Sequence, residues 1–153
     1  MQRRLGFLSL GHYQDVPWSR TRTAADALTQ AIEIASGAEQ IGFDGAWIRV
    51  HHYQRQFSSP WALLSAMAAR TERIELGTAV VDMRYENPLL MAELAAAADL
   101  ISGGRLQLGL SRGSQEPPHG DRSPSGSCLP RGSTRGKWRR STHAASATPS
   151  PES

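Results

Sequence analysis

Short apolar runs alternate with longer segments of helical periodicity over the first 113 residues of the chain. The runs that predict β-strands lie at residues 4–10, 44–50, 74–81 and 105–110. Successive runs begin 40, 30 and 31 residues apart, and a βαβ unit takes about 30 residues. The pattern therefore predicts repeated βα units that form a parallel α/β sheet.

Three helices are predicted between these strands, each from a start signal in the sequence. Thr23 followed three residues later by Asp26 is a near capping box, with Asp in place of Glu. Apolar residues then recur at helical spacing as far as Gly42, which favours the end of a helix. The other two helices begin with a capping residue before a proline, where the missing N–H is harmless; these pairs are Ser59-Pro60 and Asn87-Pro88. The helix after Ser59-Pro60 is predicted to end near residues 71–73.

Residues 114–153 differ from the rest of the chain in composition. They are rich in Ser, Pro, Arg, Gly and Thr, with few apolar residues and no periodicity. Such a segment cannot bury enough apolar surface to offset its ordering entropy. It also carries the whole formal net charge of +3, because the acidic and basic residues before it balance. The sequence predicts a folded domain at residues 1–113 and a disordered basic tail at residues 114–153.

The composition indicates which binding partners and which cellular compartment to expect. The chain contains no apolar run long enough to span a membrane and no secretory leader, so no membrane association is expected. Its single cysteine, Cys128, fits a reducing compartment, and a cytoplasmic location is expected. The basic tail could bind nucleic acid through charge alone, but a charge run with one Trp is usually solvated, so this is the less favoured alternative.

Two adjacent histidines, His51 and His52, directly follow the second predicted strand. In parallel α/β sheets, functional groups lie beyond the C-terminal ends of the strands, and imidazole suits proton transfer near neutral pH. The alternative is a loop pair with no role. A metal site is not predicted, because neighbouring strand residues face opposite ways and no third ligand stands at a recognisable spacing. The sequence leaves open whether Tyr53, Phe57 and Trp61 border a pocket or pack under a loop.

Four segments resemble one known family when they are taken together, in order and at their spacings. The first is Gly-Phe-Asp-Gly-Ala-Trp at 42–47 with the histidine pair after it, and the second is Arg-Ile-Glu-Leu-Gly-Thr-Ala-Val at 73–80. Asn87-Pro88 and Ser-Gly-Gly-Arg-Leu-Gln-Leu-Gly-Leu-Ser-Arg-Gly at 102–113 complete the set. From about Leu5 to Gly113 the chain is similar to the luciferase-like flavin-dependent monooxygenases, the bacterial luciferase family.

The resemblance implies a fold and a cofactor. The fold is a (β/α)8 TIM-type barrel of about 250 residues, of which the chain would hold the first half, with about four parallel strands and three helices. Members bind reduced flavin, usually FMN and in some branches F420, across the C-terminal mouth of the barrel. The flavin activates O2 to oxygenate a small organic substrate. A flavin reductase as supplier of reduced flavin and a homodimer are the partners this implies.

The resemblance also assigns residues to roles. His51 and His52 would handle protons at the flavin or the substrate. The backbone of Thr78, Ala79 and Val80 would lie against the flavin ring, and Ser111 and Arg112 would lie close to flavin and substrate. These seven residues are the predicted site.

The chain departs from the family pattern in three places. Many members carry a glutamate immediately before the histidine pair, where this chain has Val50. The second half of the barrel, which carries the flavin phosphate site in the family, is absent. The tail has the composition that a shifted reading frame in GC-rich DNA would give, so we hypothesise a frameshifted or truncated end from about Gln115, which the encoding DNA would test. The alternatives are a non-catalytic remnant of the family and an F420-dependent oxidoreductase.

Overall fold

A computed structural model describes residues 4–54 and 56–113, which form parallel strands connected by three helices. The elements are β1 Gly6–Ser9, α1 Ala24–Gln40, β2 Gly45–Ile48, α2 Pro60–Ala68, β3 Glu75–Thr78, β4 Val81–Asp82, α3 Pro88–Ser102, β5 Leu106–Gln107 and β6 Leu110–Ser111. A four-stranded parallel sheet has the order β1-β2-β3-β5, and β4 pairs with β6 in a second, two-stranded parallel sheet. The predicted parallel α/β architecture is confirmed.

The two faces of the four-stranded sheet have different surroundings. Ala46, Ile48 and Leu76 point to helices α1 and α2 and join a buried core that includes Leu64 and Met67. The alternate residues face the other way. There, Trp47 of β2 lies over glycines of its own strand and of both neighbouring strands, since a Cβ atom on Gly6, Gly45 or Gly77 would collide with its indole ring.

The third and fourth predicted strands are each divided into two short strands. The hydroxyl of Thr78 donates to the carbonyl of Gly109 at 2.9 Å and accepts its N–H at 3.0 Å. The same carbonyl accepts the N–H of Val81 at 2.9 Å. These contacts replace the regular ladder after β3, and the peptide bond between Ala79 and Val80 at this break is cis.

The helix starts follow the prediction with one exception. Thr23 and Asp26 form a complete capping box at α1, and the Oδ1 atom of Asn87 accepts the N–H groups of Leu89 and Leu90 at α3. Ser59, in contrast, makes no side-chain capping bond. Helix α2 also ends at Ala68, earlier than predicted.

Arg105 explains the early end of α2. Its guanidinium donates to the carbonyls of Ala68, Thr71 and Ile74, and the hydroxyl of Thr71 donates to the carbonyl of Met67 at 2.8 Å. The bonds to Met67, Ala68 and Thr71 satisfy carbonyl groups at or just after the helix end without another helical turn, and the bond to Ile74 ties Arg105 to the residue before β3.

The predictions for residues 114–153, namely the disordered tail and the shifted reading frame, lie outside the described residues. None of the helices in the described part of the chain is long and apolar enough to cross a membrane.

Candidate active site

The predicted site residues meet at the C-terminal edge of the sheet. His51 and His52 follow β2, residues 79–80 connect β3 to β4, and Arg112 follows the last residue of β6. The pairing of β4 with β6 sets Asp82 opposite Ser111, and the N–H of Met83 donates to the Ser111 carbonyl at 3.0 Å.

The two histidines have different environments. His51 is partly buried, and its backbone N–H donates to the carbonyl of Phe57 at 2.9 Å. His52 is buried, with 9% of its surface exposed. Its Nε2 atom lies 3.6 Å from Oε1 of Glu86, and its ring lies beside the rings of Tyr53 and Tyr85. Tyr53 adopts a left-handed backbone conformation with φ of 60°, which turns the chain directly after His52.

A buried carboxylate, Asp82, lies next to this group. Its Oδ1 accepts the backbone N–H of Arg84 at 3.0 Å and its Oδ2 accepts Nη2 of Arg84 at 3.0 Å. The side-chain hydrogen bonds from Arg84 lower the pKa of Asp82 below its ordinary 3.8, burial raises it, and the charges of Arg84 and His52 lower it further. Asp82 is therefore an anion near neutral pH.

Several polar groups of the predicted cofactor residues already have partners within the protein, and Thr78 is buried, with 2% of its surface exposed. The hydroxyl of Thr78 is occupied by Gly109, and the N–H of Ala79 donates to the carbonyl of Ile48 at 2.8 Å. The Oγ atom of Ser111 accepts the N–H of Gly113 at 2.9 Å. Val80 and Arg112 are exposed. The cofactor roles of Thr78, Ala79, Val80, Ser111 and Arg112, like the proton roles of the histidines, stay predictions.

Sequence reasoning missed the residues that follow the third predicted strand. Asp82, Arg84, Tyr85 and Glu86 all contribute to the surroundings of His52. The signal that could have found them is the one that selected the histidines, a polar cluster directly after the C-terminal end of a strand. Within residues 4–54 and 56–113, no group of three or more His, Cys, Asp or Glu side chains could hold a metal ion.

Tyr53, Phe57 and Trp61, whose roles the sequence leaves open, lie in different parts of the structure. Phe57 is buried and lines a cleft of about 380 Å³ between α1 and α2. Trp61 is buried in a second core with Val50, Val81 and Met91. Tyr53 is 64% exposed at the sheet edge.

A comparison with protein-family models supplies the family. Residues 10–125 match the model of the luciferase-like monooxygenases, a range that contains all seven predicted site residues. The chain belongs to this family. The family includes flavin-dependent and F420-dependent members.

Curated relatives of this family member are much longer than the segment that matches it. The 4-hydroxyprotoasukamycin monooxygenase of Streptomyces nodosus subsp. asukaensis is 37% identical over 90 residues, which cover 58% of this chain and 24% of the relative. The F420-dependent glucose-6-phosphate dehydrogenase of Amycolatopsis mediterranei is 35% identical over 88 residues, which cover 54% of this chain and 26% of the relative. The chain thus spans about a quarter of the length of these relatives.

A solved structure supports the same fold. The oxygenating constituent of the 3,6-diketocamphane monooxygenase from the CAM plasmid of Pseudomonas putida, solved in complex with FMN, matches with a TM-score of 0.64 and 24% identity. The match covers 75% of this chain and 31% of that chain. It confirms the expectation that the strands and helices form part of a luciferase-like TIM-type barrel.

Proposed function

We propose that this luciferase-like chain forms part of a flavin-dependent monooxygenase that uses reduced flavin and O2 to oxygenate a small organic substrate. His51 and His52 hold and move protons, while Thr78, Ala79 and Val80 with Ser111 and Arg112 contact the flavin. The observation that carries the proposal is the β4–β6 pairing, which brings Ser111 beside Asp82. The backbone N–H of Tyr85 donates to the Asp82 carbonyl at 3.2 Å, and the Tyr85 ring lies 5.6 Å from the His52 ring; these contacts support a site that includes both the histidines and Ser111.

The residues at this edge fit the ring of a flavin. Val80 and Leu110 are apolar and 38% and 42% exposed, so a planar apolar ring system could cover them. Arg112 is an exposed cation beside Ser111 and suits an anionic part of the cofactor. When bound, the flavin supplies the oxygen-activating chemistry, and the protein contributes binding, orientation and proton transfer.

Family membership leaves both FMN and F420 as candidate cofactors. Membership supports a reduced flavin or deazaflavin, and a relative at 35% identity is named as F420-dependent. We propose reduced FMN as the cofactor and F420 as the second candidate. A flavin reductase is then the proposed source of reduced FMN.

Anaerobic titration of the purified chain with reduced FMN, and separately with reduced F420, tests the proposal. Saturable quenching of tryptophan fluorescence with FMN is expected, followed by faster flavin oxidation when O2 is admitted. Val80→Glu adds a charge to the exposed apolar surface and should weaken binding by at least about tenfold. Leu100→Glu is the matched control, because Leu100 is 82% exposed on α3.

Three results would each carry a distinct meaning. Saturable binding of F420 alone would replace FMN by F420. No saturable binding of either cofactor would contradict the proposal and favour a non-catalytic remnant of the family. Equal binding by the wild type and Val80→Glu would show that the cofactor lies elsewhere.

A further inference from the structure

His52 is confined by aromatic side chains on two loops. Its ring centroid lies 6.2 Å from that of Tyr53, which follows it in the chain, and 5.6 Å from that of Tyr85. The two tyrosine rings meet edge to face at 5.5 Å. These rings restrict the rotation of the imidazole and exclude water from it.

The Nε2 atom of His52 lacks a hydrogen bond. It is buried and has no hydrogen-bond partner within residues 4–54 and 56–113, and an unsatisfied buried polar atom costs about 1–3 kcal/mol. Oε1 of Glu86 lies 3.6 Å away, slightly beyond hydrogen-bond distance. A small rotation of either side chain would close this contact, as happens at sites that tighten when their ligand binds.

Glu86 lies in the loop directly before helix α3. It immediately precedes Asn87, which caps the helix through the N–H groups of Leu89 and Leu90. The side chain of Glu86 is 13% exposed. The structure therefore holds a largely desolvated carboxylate against Nε2.

The residue before the histidine pair cannot supply this acid. Val50 is buried in the second core with Trp61, Val81 and Met91. The carboxylate therefore reaches the histidine pair from the loop between β4 and α3, across the sheet edge, and not from β2.

Asp82 is the other carboxylate near His52, but it is already engaged. Both of its oxygens accept hydrogen bonds from Arg84, and Arg84 is the main cause of its lowered pKa, with the His52 charge a smaller one. Arg84 is in turn 6.0 Å from the Tyr85 ring. Glu86 is thus the carboxylate that faces Nε2.

We propose that Glu86 is the positioning residue of His52: it accepts a hydrogen bond from Nε2–H and so leaves Nδ1 as the basic nitrogen of the imidazole. In neutral histidine one ring nitrogen donates and the other accepts, so an acceptor at Nε2 selects the tautomer. The same carboxylate stabilises the imidazolium after Nδ1 takes up a proton. The use of that proton in flavin chemistry rests on the proposed function, whereas the pairing itself does not.

Long-range ¹H–¹⁵N spectra of ¹⁵N-histidine-labelled chain at alkaline pH measure the tautomer directly, without cofactor. The chain has five histidines, so His52→Asn identifies the His52 signals by their loss. Glu86→Ala should lower the ratio of Nε2–H to Nδ1–H by on the order of tenfold, the value of one charge-assisted hydrogen bond. Glu86→Gln keeps an acceptor oxygen and should restore much of the ratio. Glu93→Ala, an exposed acid on α3, should leave it unchanged.

The proposal is overturned if Glu86→Ala and the wild type have the same tautomer ratio. It is also overturned if Glu86→Ala lowers stability while the tautomer stays fixed, since Glu86 would then have a purely structural role. Failure of the flavin titration contradicts the proposed function alone, because the tautomer is measured on the cofactor-free chain.

Discussion

At the residue scale, Glu39 is an ionised side chain that stabilises the N-terminal edge of the sheet, opposite the candidate active site. It stands near the end of α1, and its carboxylate accepts the N–H groups of Glu72 at 3.0 Å and Ile74 at 2.8 Å, as well as that of Arg73. Partial burial raises the pKa of Glu39, but these three backbone hydrogen bonds and the charge of Arg73 lower it below its ordinary 4.5. Glu39 therefore joins α1 to the start of β3.

Replacing Glu39 by Gln should destabilise the chain by about 1–2 kcal/mol at neutral pH, because one amide oxygen replaces an anion that accepts three bonds. The folded-state pKa lies below the unfolded value, so this stabilisation is full above about pH 5 and is lost as the pH falls through the folded-state pKa. Urea unfolding at several pH values should show the difference between wild type and Glu39→Gln shrinking on acidification. Glu33→Gln, an exposed change on α1, is the control, and a difference that stays constant with pH would contradict the role of the charge.

One reason explains both why the sequence predicts some residues of the candidate site and why it does not predict others. His51 and His52 were predicted because adjacent histidines after a strand are visible in one short segment. The contact of His52 with Glu86 joins residues 34 positions apart and depends on how two loops fold over the sheet edge. No local pattern contains that information, and the same holds for the bonds from Glu39 to the segment before β3.

At the element scale, α2 and α3, the two helices that begin with proline, show how much a capping side chain contributes to stability. Asn87 accepts two N–H groups of α3 through its side chain, whereas Ser59 makes no side-chain capping bond at α2. Both residues are exposed and both precede a proline. The same sequence signal therefore gives a capping bond in one helix and none in the other.

Asn87→Ala should lower the free energy of unfolding by about 1 kcal/mol, the usual value of a capping bond. Ser59→Ala should change it by less than about 0.5 kcal/mol, as for other exposed substitutions without such a bond. Chemical denaturation of the two variants side by side measures the difference. Equal losses in both variants would mean that Ser59 caps α2 in solution.

The division of the third and fourth predicted strands could not be read from the sequence. Residues 74–81 are apolar or β-branched apart from Glu75 and Gly77, and such a run favours one continuous strand. The break arises because the Thr78 hydroxyl bonds the backbone of Gly109, 31 positions away. Gly109 is required there, because a Cβ atom would collide with the Thr78 carbonyl.

At the scale of the whole molecule, one face of the sheet leaves an apolar side chain, Leu8 of β1, exposed beside the partly exposed Trp47 of β2. Leu8, Trp47, Gly77 and Gln107 are register partners across the four strands, on the face that points away from the core with Leu64 and Met67. Leu8 is 51% exposed there. The sheet also has two edge strands, β1 and β5. Exposed apolar faces and unpaired strand edges favour association with another chain.

We therefore expect the chain to self-associate through this face, so that its sedimentation coefficient rises with concentration in analytical ultracentrifugation. Leu8→Lys should raise the dissociation constant by at least about tenfold, because a lysine ammonium would be buried against apolar partners. Leu100→Lys is the control, since Leu100 is 82% exposed on α3. If Leu100→Lys weakens association as much as Leu8→Lys does, the contact lies on the helices. If the wild type sediments as a monomer at every concentration, the exposed apolar surface at Leu8 does not drive association of this chain.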